Sequence, residues 1–178
     1  MPALIVTAYV HEDDLYPFHC LRERFFPRNR TFVSAHCTLF HHLPGDRRDD
    51  VVTAVRQSVC AFRQNRLDDH QTHLDVPVTG VFHMGRGVAY ALAPEELQRL
   101  RAPIAACFAE RLNRQDGGKW RNPHITVQNK SSPEASRRLY RHLDARFEPC
   151  SLRVLGLQVF RYVGGPWAEE AVVKFADA

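Results

Sequence analysis

The sequence has no long apolar run, no CxxC cysteine pair and no large excess of charge of either sign. None of its apolar stretches approaches the ~20 residues that a membrane-spanning helix needs, so we expect no membrane association. The five cysteines are scattered and odd in number, which argues against a disulfide framework and predicts reduced thiols in a cytoplasmic protein. A net charge of +4 permits an anionic ligand without requiring one.

The chain also lacks linker-like and low-complexity segments, and no basic region precedes its first apolar run. We therefore expect residues 1–178 to form a single domain and a monomer, with a strand rather than a signal peptide at the start. A content of 44% hydrophobic and 25% charged residues is ordinary for a globular protein.

Hydrophobic periodicity predicts alternating strands and helices along the chain. Apolar residues at helical spacing, such as Val51, Val55 and Val59, indicate helices that begin near positions 18, 49, 94 and 131. Pro103 lies within one of them, where we expect a kink or a break, and residues 114–120 are expected to form a flexible loop. The predicted strands are 3–10, 31–43, 74–85, 87–93, 122–129, 151–163 and 170–176.

The order of these elements repeats. Strand, helix, strand, helix and strand follow one another in residues 3–82 and again in residues 87–160, and the segments VTGVF (78–82) and VLGLQ (154–158) take matching places. A duplicated unit of this kind places two equivalent strands around a pseudo-two-fold axis. We therefore predict an α+β fold of two similar halves with a central groove between them.

Two segments in matching places of this repeat carry the same unusual pattern. VSAHCTLFHH (33–42) contains His36 and Thr38, and RNPHITVQN (121–129) contains His124 and Thr126. Residues two apart in a strand share a face, so each strand has one apolar side and one side with an imidazole and a hydroxyl. We expect the two polar sides to face each other across the groove.

Two imidazoles and two hydroxyls around one small volume suit phosphoester chemistry without a metal. A neutral imidazole can take a proton from an attacking water or hydroxyl, and a protonated one can give a proton to the leaving oxygen. Histidine allows both forms near neutral pH because its ordinary pKa is about 6.5. The hydroxyls can donate to the non-bridging phosphate oxygens, and no cofactor is expected.

The H-x-T pattern is short, and a third match occurs at His70 and Thr72 in a polar segment. No apolar residue follows that threonine, whereas Leu39 and Val127 follow the other two. The context predicts that His70 takes no part in the chemistry.

HCTLF and HITVQ, in a chain of this length, resemble the two signature motifs of the 2H phosphoesterase superfamily, and most closely its bacterial 2′-5′ RNA ligase-like and cyclic phosphodiesterase branch. The resemblance covers essentially the whole chain. It implies a two-lobed α+β fold, with antiparallel sheets around a central cleft, that opens 2′,3′-cyclic phosphates or related 2′-5′ linkages, usually without metal. It also implies His36, Thr38, His124 and Thr126 as the catalytic tetrad, with His36 as acid and His124 as base.

Residues near the second motif are candidates for substrate binding. Lys119, Trp120 and Arg121 directly precede it. They either bind phosphate and stack a base, or they form a solvated loop with a packing tryptophan.

Two further pairs are candidates for the groove. Tyr9 and Tyr90 take matching strand positions in the two halves, and each either lines the groove or fills the core. Arg161 and Tyr162 lie in a late strand and are also candidates for substrate binding.

His41 and His42 extend the first motif and, with Cys37, raise the question of a metal site. No second ligand cluster follows at a recognisable spacing, so we expect no bound metal. The remaining histidines are expected to be surface or structural residues: His11, His19, His73, His83 and His142.

Together these features predict a metal-independent phosphodiesterase that opens a 2′,3′-cyclic phosphate on an RNA end or a nucleotide and leaves a 2′-phosphomonoester. Reverse 2′-5′ RNA ligase activity is expected to be minor. Two alternatives stay open: an RNA- or nucleotide-binding module without useful turnover, and a hydrolase of small non-RNA phosphoesters. A basic track beyond the tetrad favours an RNA substrate.

Overall fold

A computed structural model describes residues 2–27, 32–68, 70–118, 120 and 122–178 of the chain. The strands are β1 (Leu4–Val10), β2 (Thr38–Leu43), β3 (Leu74–His83), β4 (Val88–Leu92), β5 (His124–Gln128), β6 (Cys150–Tyr162) and β7 (Trp167–Lys174). The α-helices are α1 (Glu12–Phe25), α2 (Arg48–Arg66), α3 (Glu95–Cys107), α4 (Arg114–Gly117) and α5 (Pro133–Asp144).

Helix α5 forms where the sequence predicts a helix that begins near position 131. The hydroxyl of Ser132 accepts the N–H of Ala135, and Pro133 takes the first helical position, where its missing N–H needs no partner. Leu139 and Leu143 then bury one side of the helix. The local signals and the packing agree, and this prediction is confirmed.

The first motif lies less regularly than predicted. The strand expected at 31–43 begins only at Thr38, and Cys37 forms an isolated bridge, so His36 precedes the regular strand. Register shifts also occur along the pairing of β1 with β2. The segment departs from a regular ladder because it must approach two strands, β1 on one side and β5 on the other.

Two further predictions of local structure need correction. Helix α3 continues through Pro103, so the break predicted there as one of two alternatives is wrong, while the kink stays a prediction; buried Leu100 and Ile104 pack the helix into the core on both sides of the proline. The segment predicted as a loop at 114–120 contains helix α4, whose N-terminus is capped by the side chain of Asn113.

All strand pairs are antiparallel, and the strands of both halves join in one hydrogen-bonded sheet. The order is β2-β1-β6-β3-β4-β5, with β7 paired to β6. If β1 is exchanged with β4, β2 with β5 and β3 with β6, the same strand order results, read from the opposite edge of the sheet. This symmetry is expected for two copies of one unit. The predicted α+β class with antiparallel strands is confirmed, whereas the duplication of residues 3–82 and 87–160 stays a prediction.

Helices cover the sheet and bury its apolar side chains. Helix α2 packs against β6, β7 and α3, while α5 packs against β3 and β4, and α1 packs against β5. In β3, burial alternates from residue to residue in its first half, as the period of two requires. All five cysteines are free thiols. Within the described ranges, no helix is both long enough and apolar enough to cross a bilayer.

Candidate active site

The two H-x-T motifs meet where the outer strands of the sheet come together. Cys37 forms an antiparallel bridge with Ile125, so each motif histidine lies opposite the threonine of the other motif. Both bridge residues are fully buried, and their sequence neighbours therefore project from the other face. That face holds four partly exposed side chains: His36, Thr38, His124 and Thr126.

The two histidines are anchored in the same way. The Nδ1 of His36 lies 2.7 Å from the carbonyl oxygen of Ser34, and the Nδ1 of His124 lies 2.8 Å from that of Asn122. A carbonyl oxygen only accepts, so each Nδ1 must carry the proton. The neutral rings therefore leave Nε2 unprotonated and available for proton transfer.

Aromatic rings restrain both imidazoles. The ring of Trp167 lies against that of His36, with 4.7 Å between centroids. Phe82 meets His124 edge to face, with 5.6 Å between centroids and an angle of 87° between planes. Contacts of this kind restrict ring rotation, which favours a defined direction for each Nε2.

Burial controls the protonation state of His36. Desolvation lowers the pKa of its imidazole to about 4, although the hydrogen bond to Ser34 acts in the opposite direction, and the nearby charges of Arg22, His41 and His124 lower the pKa further. His36 is therefore neutral near pH 7 in the free protein, with an Nε2 that can accept a proton. A role as acid requires bound phosphate to raise this pKa, because negative charge favours the imidazolium.

The threonine hydroxyls lie beside the imidazoles. Thr38 pairs with Thr7 of β1, and Thr126 pairs with Ala89 of β4. Among the residues that the structure describes, neither hydroxyl has a hydrogen-bond partner. Both can therefore donate to a ligand oxygen in the space between the two histidines.

A buried arginine, Arg22, links the two motif segments through hydrogen bonds to their main chains. Arg22 of α1 donates from Nε to the carbonyl oxygen of Val33 at 2.9 Å and from Nη1 to that of Thr126 at 3.0 Å. Its guanidinium also lies over the ring of Phe26, 3.9 Å from the centroid. Burial lowers its pKa, but an arginine stays charged, so a cation lies close to His36.

A second buried arginine makes a similar connection from the other half. Arg101 of α3 donates from Nε to the carbonyl oxygen of Leu39 at 3.0 Å and from Nη2 to that of Asp116. Each arginine thus comes from a helix of one half and binds the motif strand of the other. Arg22 thus links the segment before His36 to β5, whereas Arg101 links β2 to α3 and α4.

Tyr9 and Tyr90 have different surroundings although they occupy matching places in the sequence. Tyr9 lines a cavity of about 230 Å³ beside His36, together with Thr7, Gln158, Phe160 and Trp167. Tyr90 lies opposite the buried Ile125 and packs edge to face on Phe18. Of the two alternatives considered for each residue, Tyr9 lines the groove and Tyr90 packs against α1.

Trp120 packs against the core, where its ring lies near the guanidinium of Arg101, 5.5 Å from centroid to carbon. This position corresponds to the packing tryptophan of the two alternatives. Lys119 and Arg121 lie outside the described residues.

Arg161 and Tyr162 are neighbours in sequence but lie on opposite faces of β6. Arg161 donates to Glu170 at 2.6 Å, next to Arg48 of α2, and so lies on the helix-covered face away from His36. Tyr162 pairs with Trp167 and therefore shares its face, where it is 45% exposed. The structure thus brings Tyr162, but not Arg161, to the side of the tetrad.

His41 and His42 are engaged with a buried carboxylate. Asp116 accepts the backbone N–H of His41 at 3.0 Å and that of His42 at 2.7 Å, and it lies 3.3 Å from Nδ1 of the His41 ring. Burial raises the pKa of Asp116, but these hydrogen bonds lower it more, and the net pKa lies below its ordinary value. Within the described part of the chain, no three His, Cys, Asp or Glu side chains are grouped as metal ligands.

The sequence reasoning missed the residues that support the tetrad. Trp167 and Phe82 carry no signal in the sequence, because only the register of distant strands places them beside the histidines. Arg22 and Arg101 could have been noticed, since each lies one helical turn after a buried apolar residue, Phe18 and Leu97 respectively. A charged residue on an apolar helix stripe needs a buried partner.

Comparison with known protein structures identifies the fold. TT0787 of Thermus thermophilus shares 16% identity, covers 97% of both chains and superimposes with a TM-score of 0.61. Escherichia coli LigT complexed with NADP+ shares 13% identity over 96% of this chain and 95% of its own, with a TM-score of 0.58. LigT complexed with 3′-AMP shares 11% identity over 96% and 95%, with a TM-score of 0.56.

Sequence comparison gives the family. No curated protein matches the chain in a direct search. The profile of the 2′-5′ RNA ligase superfamily, however, matches residues 12–166, which include both motifs and most of the sheet. With the paired motifs on one face of this fold, the chain belongs to the 2′-5′ RNA ligase superfamily and is a 2H phosphoesterase.

Proposed function

We propose that this protein is a metal-independent phosphodiesterase that opens 2′,3′-cyclic phosphates of RNA ends or nucleotides to 2′-phosphomonoesters. The observation that carries the proposal is the bridge between Cys37 and Ile125, which gathers two imidazoles and two hydroxyls on one accessible face. A nucleotide ligand is in keeping with the structural relative LigT, which has been crystallised with 3′-AMP and with NADP+.

In the proposed reaction, a neutral imidazole accepts a proton from water through Nε2 while the water oxygen attacks phosphorus. A new P–O bond forms, the P–O3′ bond breaks, and the imidazolium of the other motif donates its proton to O3′. The products are a 2′-phosphomonoester and a free 3′-hydroxyl. The two histidines end with exchanged protonation states and return to their starting states through solvent.

The remaining groups act on the charge of the transition state. The hydroxyls of Thr38 and Thr126 donate to the non-bridging oxygens, where negative charge accumulates. The carbonyl oxygens of Ser34 and Asn122 hold Nδ1–H of each ring and favour the imidazolium when it forms. If a 5′-hydroxyl replaces water, the same step forms a 2′-5′ linkage, which accounts for a minor ligase activity.

A substrate whose leaving group needs no protonation can show which histidine is the acid and which is the base. The resemblance implies His36 as acid, whereas its lowered pKa in the free protein favours His36 as base. A phosphodiester with a nitrophenolate leaving group needs no acid. The variant that lacks the acid therefore keeps its activity on this substrate, and the variant that lacks the base does not.

The experiment that tests the function is a product assay on three kinds of substrate. These are 2′,3′-cyclic mononucleotides, short RNAs with a cyclic end, and ADP-ribose cyclic phosphate. We expect 2′-phosphomonoesters from the first two, and their loss in the His36→Ala and His124→Ala variants. Binding without any product would favour the nucleotide-binding module, and turnover of ADP-ribose cyclic phosphate alone would favour the hydrolase of small phosphoesters.

We further propose a cytoplasmic monomer. Unpaired cysteines are typical of a reducing compartment. Light scattering of the purified protein checks the oligomeric state.

A further inference from the structure

A second groove lies beside the tetrad, and aromatic side chains line it. It has a volume of about 530 Å³, within the ~300–1,000 Å³ that is usual for ligand sites. We call it the aromatic groove and define it by Phe26, Phe32, Asn129, Lys130, Tyr162 and Gly164–Gly165. Among the described residues that line it there is a lysine and no carboxylate, so it favours an electron-rich or anionic ligand.

The aromatic groove concentrates exposed apolar surface. Five large hydrophobic side chains are exposed in the described part of the chain, and three of them lie here or on the adjoining β6–β7 hairpin. These are Phe32 at 58% exposure, Tyr162 at 45% and Val163 at 50%. Clustered exposed apolar side chains of this kind mark a surface that binds a partner or a ligand.

Two sets of side-chain contacts link the aromatic groove to the tetrad. Arg22 lies over the ring of Phe26 and also binds the carbonyl oxygen of Thr126. On the other side, the hairpin that carries Gly164–Gly165 leads directly into Trp167, whose ring packs against His36. These contacts connect residues that line the groove, or directly follow it in the chain, to Thr126 and His36 of the tetrad.

Lys130, which lines the groove, has a backbone conformation that is rare for a residue other than glycine. Lys130 has a φ of 56°, in the left-handed region that residues other than glycine seldom adopt. The turn is held by the N–H of Lys130, which donates to the side chain of Asn129 at 2.7 Å. It brings an exposed cation to the groove immediately after the second motif strand.

We propose that the aromatic groove binds the nucleotide that precedes the cyclic-phosphate end, and hence that the substrate is single-stranded RNA rather than a free mononucleotide. Phe32 and Tyr162 stack on the base of that nucleotide, and Lys130 contacts its phosphate. This inference rests on the proposed function, because the tetrad must hold the terminal cyclic phosphate.

Kinetics on two matched substrates test the proposal. One is a cyclic mononucleotide, and the other is a trinucleotide that ends in the same cyclic nucleotide. Tyr162→Ala and Phe32→Ala are expected to lower kcat/KM for the trinucleotide by about 10-fold or more, the usual effect of losing a base–aromatic stack. Values for the mononucleotide are expected to stay within about twofold, because it does not reach the groove.

Matched controls separate stacking from general damage. Tyr16 is an exposed tyrosine of α1 that does not line the groove, and Tyr16→Ala should leave both substrates unaffected. Lys130→Gly removes the cation while keeping a residue suited to positive φ, so the protein should stay folded and lose affinity for the trinucleotide alone. Circular dichroism checks the fold of each variant.

A binding measurement gives a readout independent of turnover. A trinucleotide with a 2′-phosphate end and 2-aminopurine at the preceding position loses fluorescence when its base stacks. We expect quenching by the unmodified protein and by Tyr16→Ala, and none by Tyr162→Ala. Equal effects on both substrates, or quenching that persists in Tyr162→Ala, would overturn the groove, whereas absence of turnover on every cyclic substrate would overturn the proposed function instead.

Discussion

Arg22 donates a 3.0 Å hydrogen bond to the main-chain oxygen of Thr126, from the first half of the chain to the second. The same guanidinium binds the main-chain oxygen of Val33, three residues before His36. A single buried cation thus connects the segments that carry the two histidines. The separation of the motifs depends on this contact as well as on the sheet.

We predict that Arg22→Met lowers the stability of the protein and raises the pKa of His36. The carbonyls of Val33 and Thr126 lose their donor, which should reduce the free energy of unfolding by about 1–3 kcal/mol. Loss of the cation should also raise the pKa of His36, because a nearby positive charge disfavours the imidazolium. Urea unfolding and an NMR titration of His36 measure the two effects.

Arg24→Met is the matched control for this variant, because Arg24 lies on the same helix and is exposed. It should change neither quantity. Equal behaviour of the two variants would contradict the connecting role of Arg22.

The histidines should each be required for turnover. His36→Ala and His124→Ala are expected to lower kcat by ~10²–10⁴, the usual contribution of a positioned acid or base. His70→Ala is the control, since His70 is exposed and lies in a turn that precedes β3 rather than in a strand. Near-full activity of either motif variant on cyclic nucleotides would reject the tetrad.

The threonines should act through their hydroxyls. Thr38→Val and Thr126→Val keep the side-chain shape but remove the donor, which should cost on the order of 2–4 kcal/mol of transition-state stabilisation. Thr→Ser at the same positions should retain much of the activity. Ratios of kcat/KM between the variants give these energies, and valine tolerated as well as serine would make the threonines packing residues.

Stability should depend on pH through His36. Its folded pKa of about 4 lies below the ordinary value of 6.5, so the unfolded chain binds more protons between these values. The contribution of His36 is therefore fully present above pH 6.5 and is lost as the pH falls towards 4. Urea unfolding across this range should show a slope that His36→Asn reduces, and an unchanged slope would place the titration elsewhere.

A chelator should not affect turnover. In the proposed reaction the imidazolium and the hydroxyls stabilise the phosphate charge, and no step needs a cation. Initial rates measured with and without EDTA are expected to agree. A loss restored by zinc, magnesium or manganese would instead point to metal ligands, with His36, Cys37, His41 and His42 as the first candidates.

Short-range patterns in the sequence predicted the two motifs and most of the elements, although they missed helix α4 and the late start of β2 at Thr38. The alternation in β5 puts His124 and Thr126 on one face, and the capping of α5 by Ser132 follows from local hydrogen bonding. These features depend on neighbours within a few residues, where strand and helix periodicities apply directly. The prediction that His36 and His124, but not His70, take part in the chemistry also rests on a local feature. An apolar residue follows the threonine in the first two motifs and not in the third.

Only the tertiary structure decided which side chains surround the motifs. Tyr9 and Tyr90 look equivalent in sequence, yet one lines the cavity beside His36 and the other packs on Phe18. Trp167 reaches His36, and Arg22 reaches Thr126, through contacts between distant segments. Such contacts depend on strand register and on helix placement, and no local period determines these. The pKa of His36 depends on them too, because desolvation and nearby charge arise only when the chain has closed around the ring.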